Sequence, residues 1–110
     1  MGYVTFIKVY GDAFNNAKLN VNKVVEYMEE HDVDIPDEES PDRRAFLSGV
    51  ENVLTGLENS EFSISMEGGQ VVDDAVIKTL EVLDQTGIIE YVCQNEDVYA
   101  ETKLFAGVKI

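Results

Sequence analysis

The sequence predicts an α+β fold: a small antiparallel or mixed sheet of about four strands with three helices on one face, in the order β-α-α-β-α-β-β. Three observations predict it. Short runs rich in β-branched and aromatic residues stand near both ends of the chain, apolar residues recur at helical spacing in three longer stretches, and the connections are short. At 110 residues and 45% hydrophobic content, the chain reads as one domain, 1–110, able to build a core without disulfides or metals.

Residues 3–10 read as the first strand, ended by Gly11-Asp12, and apolar residues on both of its faces mark an interior strand or one that uses a face for association. Val21, Val24, Val25 and Met28 then recur at helical spacing behind Asn20, a good N-cap, which places the first helix at about residues 20–31. Phe14 and Ala17 carry that stripe backward. Asn15, Asn16, Asn20 and Asn22 compete with the helical backbone and argue against a longer helix.

Residues 32–42 form an acidic connection that ends in a helix start, Ser40-Pro41-Asp42. Ser caps, Pro occupies the first turn where its missing N–H costs nothing, and Asp complements the helix dipole. The helix that follows carries Phe46, Leu47, Val50, Val53, Leu54 and Leu57 on one face. Phe62, Ile64 and Met66 alternate with Glu61, Ser63 and Ser65 as in a half-buried strand, and Gly68-Gly69 turns the chain.

A third helix, residues 74–86, is expected behind a capping Asp73, with Val76, Ile77, Leu80 and Leu83 inward and Gly87 closing it in the left-handed conformation. Strands at about 88–93 and 98–105 complete the sheet, joined through residues 94–97, and residues 106–110 extend the last one. With so few strands an edge stays open to another chain, a second copy included.

Twenty-two acidic residues against eight basic ones give a net charge of −14. On a domain of this mass that is about one net negative charge per 400–450 Å² of surface. Such a field repels nucleic-acid backbones and anionic membranes and speeds encounter with basic proteins. The N-terminal residues lack the pattern of a signal peptide, no apolar run approaches a membrane span, and the lone Cys93 has no disulfide partner. A cytoplasmic protein is the expectation.

No catalytic constellation is visible, and no enzyme and no cofactor are expected. The single histidine, His31, ends the first predicted helix and reads as a capping or half-buried residue, and Cys93 has no basic neighbour in sequence to activate it. Asp32 and Asp34 match the first and third positions of a calcium loop, but Pro36, Asp37 and Arg43 break the pattern. Helix 74–86 and the strands after it are similar to a recognition helix with its wing. Asp73, Asp74, Glu81 and Asp84 against one Lys78 would repel phosphates there.

The functional lead is the acidic segment itself. Glu26, Glu29, Glu30, Asp32, Asp34, Asp37, Glu38, Glu39 and Asp42 crowd into seventeen positions beside a loop stiffened by proline. They are expected to form a carboxylate array for the Lys and Arg clusters of a basic partner protein, such as a nuclease or another nucleic-acid-binding protein. DNA mimics, phage-encoded inhibitors and toxin-immunity proteins share these physical properties. A competing expectation is a structural, assembly or regulatory subunit that associates through apolar strand edges, as a homodimer or larger homo-oligomer. The pattern of residues 3–10 and the terminal run 104–110 motivate it.

Overall fold

A computed structural model describes residues 2–59, 70–93 and 102–110. Within them the order is β1 (Gly2–Val9), α1 (Gly11–Ala17), α2 (Val21–Glu30), α3 (Arg43–Asn59), α4 (Gln70–Gln85), β2 (Ile89–Cys93) and β3 (Thr102–Lys109). The α+β class holds. The described residues contain four helices where three were expected and three strands where about four were expected. The strand read at 61–66 and the turn at Gly68-Gly69 lie outside the described residues.

β1 is the central strand, flanked by β2 and β3 in the order β2-β1-β3. It runs antiparallel to β2, with Val9 opposite Ile89 and Ile7 opposite Tyr91, and parallel to β3, with Val9 opposite Lys109. The last two strands, read as consecutive strands of a hairpin at 88–93 and 98–105, therefore do not pair with each other. Each takes one side of the first strand, and the likeness to a helix and wing goes with the hairpin. The reading of β1 as an interior strand depended on its apolar residues, and its two neighbours supply the ladder partners that such a strand requires.

Pleat alternation separates the two faces of β1 at its end. Ile7 and Val9 are fully buried with Ile89 in the core, together with Val24, Met28, Phe46, Val50 and Leu80. Lys8, one residue out of phase, pairs across the ladder with Glu90 at 3.7 Å, and the Tyr10 hydroxyl donates to the same Glu90 carboxylate at 3.1 Å.

The apolar stripe at Phe14 and Ala17 is a helix of its own. Lys18 adopts the left-handed conformation (φ 49°) and stops α1, then Asn20 restarts the chain by accepting the Lys23 N–H at 2.9 Å. The Lys23 ammonium reaches back to the Ala17 carbonyl at 2.6 Å, which satisfies one of the acceptors left open at the end of α1. No side chain caps the start of α1; the Gly11 N–H donates instead to the main-chain oxygen of Ile110 at 2.7 Å. That partner is 99 residues away, so the asparagines outweighed the stripe in a local reading.

α3 begins at Arg43, so Ser40, Pro41 and Asp42 form a turn ahead of it and Pro41 and Asp42 do not lie in its first turn as expected, although the Ser40 side chain does bond the backbone there. The Ser40 hydroxyl accepts the Asp42 N–H at 3.2 Å, and the Asp42 carbonyl accepts the Phe46 N–H at 3.0 Å. Phe46, Val50, Val53 and Leu57 are buried, with Leu47 and Leu54 packed at the edge of the core. α4 begins at Gln70, earlier than the expected residue 74, so Asp73 lies in its first turn and is not its cap. Val71 and Val72 are half-buried and extend its apolar face backward. Its inward residues include Val76, Leu80 and Leu83, as read, with Ala75, Thr79 and Val82 beside them.

α3 and α4 approach closely at one point. A Cβ built on buried Gly49 would lie 2.6 Å from the Val72 carbonyl oxygen and 2.7 Å from Ala75 Cβ. The glycine lets the two backbones meet at a distance no side chain would permit.

Candidate docking surface

All nine carboxylates of the acidic segment are exposed. Glu26, Glu29 and Glu30 lie on α2, opposite the buried Val24, Val25 and Met28. Their spacing of three and four residues puts them on one helical face. The other six lie on the connection that follows.

How that connection leaves α2 is set by backbone geometry. His31 is the C-cap residue and its N–H donates to the Tyr27 carbonyl. Its side chain is exposed, not half-buried. Asp32 takes a left-handed φ of 56°. The Asp32 N–H then reaches the Glu29 carbonyl at 3.3 Å and the Val33 N–H the Met28 carbonyl at 2.9 Å. These two bonds are a Schellman motif with aspartate in the position glycine usually fills. Val33, the residue after it, packs against the core, and Ile35 does the same two positions on. A loop of nearly continuous charge is thus nailed down by two aliphatic side chains.

Two cations fix the loop from the other helices, and both do so through its backbone. Lys78 of α4 donates to the Asp34 carbonyl at 2.6 Å while holding the Asp74 carboxylate at 2.9 Å. Arg43 of α3 donates to the Pro36 carbonyl at 2.9 Å. A further turn, with the Ser40 N–H on the Asp37 carbonyl at 2.9 Å, leads into α3. The Lys78 ammonium is shared between a main-chain carbonyl and Asp74, and the Arg43 guanidinium bonds a main-chain carbonyl. Among the described residues the two ion pairs are Lys8–Glu90 and Lys78–Asp74, and neither involves one of the nine. Lys78 also brings Asp74, a tenth carboxylate that the sequence did not join to the segment, next to the loop.

Beside the array, between the start of α2 and the outer face of α3, lies an open groove of about 590 Å³. Val21, Pro41 and Leu47 line it, with two acidic residues, Glu38 and Glu51, and two basic ones, Arg43 and Arg44. Glu38 belongs to both groove and array. Arg44, Leu47 and Glu51 were not singled out as site residues from the sequence, although their spacing of three and four places them on one side of a helix.

Among the described residues no three His, Cys, Asp or Glu side chains gather to hold a metal ion, and no helix is long and apolar enough to cross a membrane. No family model matches the chain, and no curated protein and no solved structure matches it.

Proposed function

We propose that this chain is a non-enzymatic binding protein that docks the carboxylates of residues 26–42 onto a basic surface of a partner protein in the cytoplasm. A nucleic-acid-binding groove of a nuclease is the kind of surface such an array fits, as in inhibitors of the DNA-mimic or immunity type. One observation carries the reading. Lys78 and Arg43 hold the segment's backbone through the Asp34 and Pro36 carbonyls, and its nine carboxylates stay exposed. A solvated loop gains nothing from so many like charges on an anchored backbone. A rigid array presented to Lys and Arg gains affinity, because the ordering of the loop precedes binding and is not charged against it.

The test is capture of partners from a lysate at low and at physiological salt, followed by the same capture with Glu29, Glu30, Glu38 and Glu39 all changed to Lys. Electrostatic docking weakens steeply as salt rises, and charge reversal abolishes it. Association through apolar strand edges would hold or strengthen with salt and tolerate the reversal. A quadruple variant that retains its partner would end the acidic-docking reading.

A further inference from the structure

We draw no further inference here: the strongest candidate, the open groove between the start of α2 and the outer face of α3, is lined by two acidic residues, Glu38 and Glu51, and two basic ones, Arg43 and Arg44, and nothing in the structure shows what fills it.

Discussion

Two residues of this chain occupy the same backbone position with different side chains. Gly87 (φ 81°) and Asp32 (φ 56°) each sit at the left-handed position after a helix, each in a Schellman motif, and each followed by an apolar residue that packs on the core, Ile88 and Val33. Glycine adopts that conformation without steric cost, whereas aspartate tolerates it at a fraction of the usual 1–2 kcal/mol penalty. Opposite substitutions should therefore have opposite effects. Asp32→Gly is expected to stabilise the fold by ~0.5 kcal/mol, and Gly87→Ala to destabilise it by ~1 kcal/mol. The space around Gly87 is open, with no atom within 4 Å of an added Cβ, so the second effect is one of backbone conformation alone. Urea midpoints at unchanged slope measure both. A loss of stability in Asp32→Gly would mean that the carboxylate itself supports the turn.

At the scale of elements, what could be read from the sequence depended on how local its cause was. That a helix follows Ser40-Pro41-Asp42 was legible because the Ser40 hydroxyl bonds within the segment, although the helix proper begins only at Arg43, and the end of α4 was legible because Gly87 acts locally too. α1 was not, because its first N–H is satisfied by Ile110 from the far end of the chain. Strand partners were not legible either. The composition of β2 and β3 identifies them as strands, and the choice of β1 over each other is made by the whole fold. For the candidate site the acidic residues were evident in the sequence, but their anchoring through Lys78 and Arg43 was not, since cation-to-carbonyl contacts leave no pattern in spacing. Gly49 is a further silent case. Helix propensity favours replacing it with alanine by ~1 kcal/mol, yet the added methyl would meet the Val72 carbonyl of α4. Backbone does not move aside as a side chain would, and overpacking typically costs about 1–3 kcal/mol. Gly49→Ala should therefore be destabilising on balance, with faster amide exchange in both α3 and α4. Equal or greater stability would show that the helices can separate at no cost.

Across the whole molecule the governing quantity is a net charge of −14, which the ion pairs among the described residues do little to relieve. The two ion pairs among the described residues are partly exposed, and Lys78 and Arg43 are engaged with carbonyls of the acidic segment. The folded chain holds its negative charges closer together than the unfolded chain does, so their mutual repulsion acts against folding. Salt should change this strongly. The screening length falls from ~30 Å at ~0.01 M ionic strength to ~8 Å at ~0.15 M, the range over which repulsion between different parts of the surface is extinguished. Sodium chloride over that interval is therefore expected to raise the urea midpoint. The variant with Glu29, Glu30, Glu38 and Glu39 changed to Lys should be more stable than the parent at the low end and gain less from added salt. A midpoint that is flat or falls with sodium chloride would show that the acids are not in net repulsion. The same salt should weaken a complex with a basic partner, so fold stability and partner affinity must respond to ionic strength with opposite signs. That opposition separates electrostatic docking from apolar association, in which salt would leave the complex intact or strengthen it.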